Sequence, residues 1–175
     1  PFVDYKKSIL DIMSFSKTIE NSKVFFKLHP HSHEEIEITK ILKNNRFTNW
    51  KIVYDHPMNL AKDANLCISM ITSVTFDFLS LNKPTIEFYH SKNLTLNERS
   101  KSAVHVVIEK NRKYKTIFKY YNLVKSAESY NDLIDINRQL LKNKKFFYNE
   151  FKSFRNLTTK FNVKINKIIK ELENI

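Results

Sequence analysis

The sequence predicts an α/β domain in which helices cover both faces of a mostly parallel sheet, followed by amphipathic helices at the C-terminal end. Three observations support this class. Short apolar runs alternate with helical segments from residue 3 to residue 141. Several of these runs are rich in β-branched and aromatic residues, the composition of buried strands. An apolar stripe with helical spacing then extends from residue 147 to residue 172.

The clearest unit is Leu66–Tyr89, which predicts a strand, a sharp turn, a helix, a loop and a second strand. The first strand is the apolar run LCISM. Thr72 and Ser73 follow it at the point where the helix begins, and either hydroxyl can cap the helix. Pro84 ends the helical region because it disfavours the α conformation of the residue before it. Two strands joined in this way form a right-handed βαβ unit.

The remaining elements repeat this alternation. Predicted strands occupy residues 23–28, 51–54, 66–70, 84–89 and 103–108, with a short edge strand within residues 122–129. Predicted helices occupy residues 3–18, 32–44, 58–63, 72–81 and 129–141, and residues 90–102 are expected to form a loop. We expect the five main strands to form one Rossmann-like sheet.

The C-terminal tail, residues 142–175, is expected to pack on the domain formed by residues 1–141. Its stripe fits either one long helix or two helices that meet at residues 156–159. Packing against the core is the favoured role of the stripe, because such faces usually contact protein. Contact with an anionic membrane surface is the alternative, because the opposite face is rich in lysine.

Composition restricts the possible functions. The formal net charge is +12, which fits phosphate-bearing partners or an anionic membrane, or simply a lysine-rich composition without a functional meaning. The single cysteine predicts no disulfide and suits a reducing compartment. No apolar run is long enough to span a bilayer. We expect a cytoplasmic protein, with the inner face of the membrane as a second location.

The chain contains no glycine. This absence excludes the glycine-rich dinucleotide loop and the Walker phosphate loop, because both need glycine for close approach of the backbone to phosphate. A phosphate site here would have to use side chains and the backbone N–H groups at a helix start.

The ends of the predicted strands supply the candidate ligand-binding residues, because open parallel sheets bind ligands beyond these ends. A histidine can contact phosphate, hydroxyl residues can bind phosphate or cap a helix, and an acid can accept a hydrogen bond from a ligand hydroxyl or complement the helix dipole. The main candidates are His29, Pro30, Thr72, Ser73 and Asp77. Further candidates are Lys27, His56, Glu87 and His90.

No metal site is predicted. His31 and His33 form a His-x-His pair, but no cysteine or carboxylate stands at ligand spacing from them. No Ser-His-Asp or Cys-His arrangement stands out either, so the sequence assigns no catalytic residue.

Two segments, KLHPHS and ISMITSVTFDFLSLNKPTIEFY, resemble the donor-binding half of GT-B transferases that build bacterial surface polymers. The pattern is most similar to the CDP-glycerol glycerophosphotransferase family, and capsule polysaccharide transferases share a looser version. The matching positions are His29-Pro30, Thr72-Ser73, Phe76-Asp77 and Lys83-Pro84. The resemblance implies that His29, Thr72 and Ser73 hold the phosphates of a CDP- or CMP-activated donor, without a further cofactor. Met70 and Ile71 depart from the family pattern, which has an aspartate and a tyrosine there.

The resemblance covers about residues 23–89. A GT-B enzyme also needs an N-terminal half that binds the acceptor, and 175 residues are too few for both halves. The first residue is Pro1 rather than methionine, which fits a piece of a longer protein. We therefore expect a C-terminal donor-binding domain that is inactive alone, from a glycosyltransferase or glycerophosphotransferase making capsule or teichoic-acid-like polymer.

Three other functions remain open at this point. A nucleotide-sugar epimerase would use a similar half-fold without an acceptor. A nucleic-acid-binding module would explain the charge, although no aromatic-basic recognition motif is present. A scaffold domain would bind no ligand at all.

Overall fold

The computed structural model describes residues 3–28, 34–91, 106–108 and 114–172. Helices within these ranges are α1 (Tyr5–Ser16), α2 (Glu34–Asn44), α3 (Pro57–Asp63), α4 (Val74–Ser80), α5 (Ile117–Tyr120), α6 (Tyr130–Lys142) and α7 (Tyr148–Leu172). Strands are β1 (Val3–Asp4), β2 (Val24–Lys27), β3 (Trp50–Val53), β4 (Cys67–Ser69), β5 (Thr85–Phe88), β6 (His90–Ser91), β7 (Val106–Ile108), β8 (Tyr114–Thr116) and β9 (Lys125–Ala127). The chain is therefore a mixed α/β protein, as the sequence predicts.

The strands of the core are parallel and belong to two small sheets. One sheet pairs β2 with β3, and the other has the order β4-β5-β9. Two antiparallel pairs, β1-β6 and β7-β8, are separate from them. The predicted edge strand within residues 122–129 is found as β9.

The predicted single sheet of five strands is not formed by hydrogen bonds among the described residues. The pairings end at two separate sheets, and β4 is short, with three residues before the chain turns at Ile71 with φ = +57°. The two sheets are still neighbours, because Val24 and Met70 pack against the cores of both. Residues 103–108 were expected to join the mainly parallel sheet, but Val106–Ile108, the part of this range that the structure describes, pairs antiparallel with β8. Only five residues separate β7 from β8 along the chain, and a parallel crossover needs a dozen or more.

Helix α1 joins the two halves of the core. Ile12 and Phe15 are buried against Phe88 of β5, whereas Ile9 and Met13 belong to a second buried cluster with residues of α2. Burying both sets removes one broad face of the helix from water, which is the main source of stability for an amphipathic helix. The position of α1 therefore fixes β5 relative to α2.

Helix α7 is continuous from Tyr148 to Leu172, so the alternative of two helices meeting at residues 156–159 is wrong. Phe151 packs against two core clusters, and Phe154 and Leu157 pack against the cluster that contains Leu79 and Phe118. Among the described residues, no helix combines the length and apolar character needed to cross a membrane.

Candidate functional site

The turn between β4 and α4 lies at the carboxyl end of a parallel strand. It begins with a buried hydrogen bond of 2.7 Å between the hydroxyl groups of Ser69 and Thr75. Between them, Ile71 has φ = +57°, a left-handed conformation that is a genuine outlier for a β-branched residue. Such strain costs on the order of 1–3 kcal/mol and persists only where surrounding structure enforces it. The buried hydroxyl pair and the packing of Ile71 against the Leu79–Phe118 cluster provide that enforcement.

The two hydroxyl residues of this turn have different roles. The Thr72 Oγ1 atom accepts a long hydrogen bond of 3.4 Å from the Val74 N–H and so acts as a weak cap. Ser73 already has helical dihedral angles, and its side chain makes no capping hydrogen bond. The Ser73 side chain is exposed. The Ser73 hydroxyl therefore does not cap the helix, although Ser73 stands at the N-cap position.

Fewer backbone donors face this turn than the sequence suggests. The Thr75 N–H donates to the Thr72 carbonyl at 3.2 Å, and the Phe76 N–H donates to the Ser73 carbonyl at 2.9 Å. Helix α4 is also only seven residues long, so its dipole is small. An anion bound here would depend mainly on hydroxyl groups and on charges from neighbouring elements.

Leu28 at the carboxyl end of β2 and Met70 in this turn pack against the same buried cluster. Lys27 brings a cation to that end, and its Nζ atom donates to the Leu28 carbonyl at 2.9 Å. His29 and Pro30, the next two residues, lie outside the described part of the chain, as do His31 and His33.

The start of α2 is acidic and does not suit an anion. Glu34, Glu35 and Glu37 occupy its first turn, where carboxylates already complement the helix dipole. Burial and the nearby Glu34 carboxylate raise the pKa of Tyr5, which also shows that the starts of α1 and α2 lie close together. An anionic ligand is therefore disfavoured at the start of α2.

Asp77 and His56 lie on neighbouring helices. Asp77 occupies the first turn of α4 and is half-buried. His56 caps α3, since its Nδ1 atom accepts a hydrogen bond of 3.2 Å from the Met58 N–H. This capping bond gives His56 a structural task and leaves only its other ring nitrogen for a ligand.

Glu87 of β5 is buried rather than facing solvent, with 1% of its surface exposed. Its Oε2 atom accepts a hydrogen bond of 2.7 Å from the Thr116 hydroxyl, and its Oε1 atom is buried without a partner. Burial raises the pKa of Glu87, opposed by the Thr116 hydrogen bond and by the charge of Lys119. This carboxyl group lies beneath the surface that a ligand would contact.

His90 follows β5 and is a partly buried polar residue at this edge. Its Nε2 atom lies 2.7 Å from the Asp11 Oδ2 atom, and its backbone N–H donates to the Ser8 hydroxyl at 2.8 Å. Its ring meets the Phe88 ring edge-on, with centroids 5.3 Å apart. Contacts from two elements therefore hold the imidazole in one position.

Sequence reasoning did not find Asp11, Ser8 or Thr116 as partners in this region. Asp11 and His90 are 79 residues apart in the chain, and Thr116 is 29 residues from Glu87. In the sequence, Asp11 is simply a polar position on the amphipathic helix α1. Only the packing of α1 across β5 creates the pair.

Two other chemistries find no support among the described residues. No group of three or more His, Cys, Asp or Glu side chains there could hold a metal ion. Burial raises the pKa of the Cys67 thiol to about 12, so a thiolate nucleophile at neutral pH is excluded at that residue.

We compared the chain with models of protein families, with curated proteins and with solved structures. None of the three comparisons found a match.

Proposed function

We propose that this chain is the donor-binding domain of a GT-B glycosyl- or glycerophosphotransferase that makes capsule or teichoic-acid-like polymer. In this proposal the β4–α4 turn holds the phosphates of a CDP- or CMP-activated donor. The observation that carries the proposal is the Ser73 hydroxyl, which is exposed at the carboxyl end of β4 and does not cap the helix that follows it.

The fold supports a Rossmann-like donor half. The pairings β2-β3, β4-β5 and β5-β9 are parallel, α2 connects β2 to β3, and α4 connects β4 to β5. In sheets of this kind the ligand binds where neighbouring strands end. Strained backbone such as that of Ile71 is common in ligand-binding turns and is otherwise expensive to retain.

The charges around the turn include Lys27, which favours an anionic ligand, and Asp77 in the first turn of α4, which opposes one. Lys27 supplies a cation at the end of β2, and the carboxylates of α2 repel anions from the neighbouring helix start. Ser73 can then donate its hydroxyl proton to a phosphate oxygen, a charge-assisted hydrogen bond of the stronger kind. His29 would add a further donor from the residues that follow Lys27.

The reaction that this proposal implies is transfer of a glycosyl or glycerophosphoryl group to a hydroxyl acceptor. The acceptor oxygen forms the new bond, the nucleotide phosphate leaves with the electrons of the broken bond, and the proton of the acceptor hydroxyl passes to that leaving phosphate or to water. Positioning both partners requires the acceptor-binding half, so the isolated domain is expected to bind the donor weakly and not to turn it over.

Calorimetric titration with CDP and with cytidine tests the proposal. CDP should bind more tightly than cytidine, and Ser73→Ala should remove a hydrogen bond to a charged group worth about 1.5–3 kcal/mol, which is roughly tenfold or more in affinity. Ser80→Ala is the matched control, because Ser80 is also exposed and stands at the other end of the same helix. Equal CDP affinity in the parent and in Ser73→Ala would refute the role of Ser73.

A further inference from the structure

The Asp11–His90 pair lies at the same edge as the proposed phosphate site. β4 and β5 are parallel, with Ser69 opposite Glu87, so both chains leave the sheet at one edge. His90 comes three residues after Glu87, and Thr72 comes three residues after Ser69. The imidazole therefore belongs to the rim of this edge, on the side covered by α1.

Contacts to both the backbone and the ring of His90 hold the imidazole in place. Its backbone is fixed by pairing with Asp4 in the β1-β6 ladder and by the Ser8 hydroxyl, which is fully buried. The Asp11 carboxylate holds the ring at Nε2, and Phe88 contacts the ring edge-on. The His90 side chain nevertheless keeps 14% of its surface exposed.

The position of the carboxylate decides which ring nitrogen is basic. A carboxylate accepts hydrogen bonds, so its contact with Nε2 places the proton of the neutral ring on that atom. The Nδ1 atom then carries a lone pair and can accept a hydrogen bond. Carboxylate-oriented histidines of this kind present a defined acceptor to a ligand or substrate.

We propose that the Asp11–His90 pair is a binding site for a hydroxyl group of a polyol, with His90 Nδ1 as the acceptor and Asp11 as the positioning residue. The proposal rests on the proposed function, since the polyol is the glyceryl or sugar part of a donor whose phosphates lie at the β4–α4 turn. His90 then binds a hydroxyl of the transferred group, while Thr72 and Ser73 bind the phosphates.

The tautomer of His90 tests the first half of this inference. Long-range proton–nitrogen correlation spectra of labelled protein should show the proton on Nε2, with His90→Gln used to identify the signals. Asp11→Asn should move the proton to Nδ1, because an amide can donate to Nε2. The matched control, Asp135→Asn, removes an exposed carboxylate on α6 and should leave the His90 signals unchanged. A proton on Nδ1 in the parent protein would overturn the inference.

Ligand titrations followed by the same spectra test the second half. CDP-glycerol should shift both the His90 ring signals and the Ser73 amide, whereas CDP should shift only the Ser73 amide. Asp11→Asn should reduce the affinity for CDP-glycerol about two- to tenfold and leave that for CDP unchanged.

The two proposals fail in different ways. If CDP-glycerol shifts Ser73 but not His90, the polyol site is refuted and the phosphate site stands. If it shifts His90 but not Ser73, the phosphate site is refuted, and the hydroxyl site at His90 stands without a donor phosphate at the β4–α4 turn. If neither responds, both are refuted, and the Asp11–His90 pair only attaches α1 to β5, which a lowered melting temperature of Asp11→Asn would show.

Discussion

Replacing Lys125 with methionine should destabilise the protein strongly, because it leaves the Glu150 carboxylate buried without a counter-ion. The Lys125 Nζ atom lies 2.8 Å from the Glu150 Oε1 atom, and only 3% of the Glu150 side chain is exposed. The second oxygen of Glu150 is buried and has no hydrogen-bond partner. This ion pair joins β9 to the first turn of α7, so its loss also weakens the attachment of that helix.

The size of the effect follows from the burial of each partner. Removing one member of a buried ion pair costs about 3–5 kcal/mol, because the remaining charge is left uncompensated. Lys125→Met should fall in this range. Glu150→Met should cost less, because Lys125 is 25% exposed and its ammonium group can reach water. The double variant should recover most of the loss, since an apolar pair of similar volume is often neutral.

Urea unfolding of the parent, the two single variants and the double variant provides the measurement, as a double-mutant cycle. We expect a coupling free energy of at least about 2 kcal/mol, with Lys125→Met the least stable of the four proteins. Additive effects, or a cost below about 1 kcal/mol for Lys125→Met, would show that the pair is effectively solvated and contradict the packing of α7 described here.

Two further predictions concern Glu87 and Phe151. Burial raises the pKa of Glu87 above its ordinary value of 4.5, so the contribution of Glu87 to the free energy of unfolding is greatest below about pH 4.5 and is lost as the pH rises through the folded-state pKa. The Glu87→Gln side chain cannot ionise, so the free energy of unfolding of this variant, measured with urea, should exceed that of the parent by an amount that grows with pH. The growth is at most about 1.4 kcal/mol per pH unit. A difference that does not change with pH would contradict this prediction. Phe151→Asp should lower the free energy of unfolding by about 2 kcal/mol or more, with or without liposomes, because Phe151 packs against two core clusters, whereas Leu141→Asp at a 78% exposed position should not. An unchanged melting temperature with loss of liposome binding would instead identify the Phe151 face as a membrane contact.

The local elements were largely predictable from the sequence because their signals are local. The apolar runs of β2, β3, β4 and β5 are bounded by residues that end strands. Ser129 caps α6 as expected, and its backbone N–H donates in return to the Asp132 carboxylate. The fold class follows from the order of such elements.

The pairing of distant elements was not predictable in the same way. β7 has the composition of a central parallel strand, but its partner β8 is too close in the chain for that arrangement. The separation of the β2-β3 sheet from the β4-β5-β9 sheet has no local signal in the sequence, and no sequence rule suggests the left-handed conformation of Ile71, a β-branched residue.

The residues of the candidate site likewise fall into those identified from local sequence signals and those whose roles depend on distant contacts. Thr72 and Ser73 were identified because they follow a strand and precede a helix. The role of His90 needed its partner Asp11, which approaches only when α1 packs across β5. Glu87 was expected at the ligand surface from its place at the end of a strand, and its burial under Thr116 depends on a segment 29 residues away.

The most direct test of the account is the difference in binding free energy between CDP and cytidine, measured by calorimetry on the parent and on a His29→Ala, Ser73→Ala double variant. We predict that CDP binds the parent more tightly than cytidine does and that the double variant loses most of this difference. Two lost hydrogen bonds to charged phosphate correspond to about 3–6 kcal/mol at most. A double variant that binds CDP as tightly as the parent would contradict the central claim that this edge of the sheet holds the phosphates of a nucleotide.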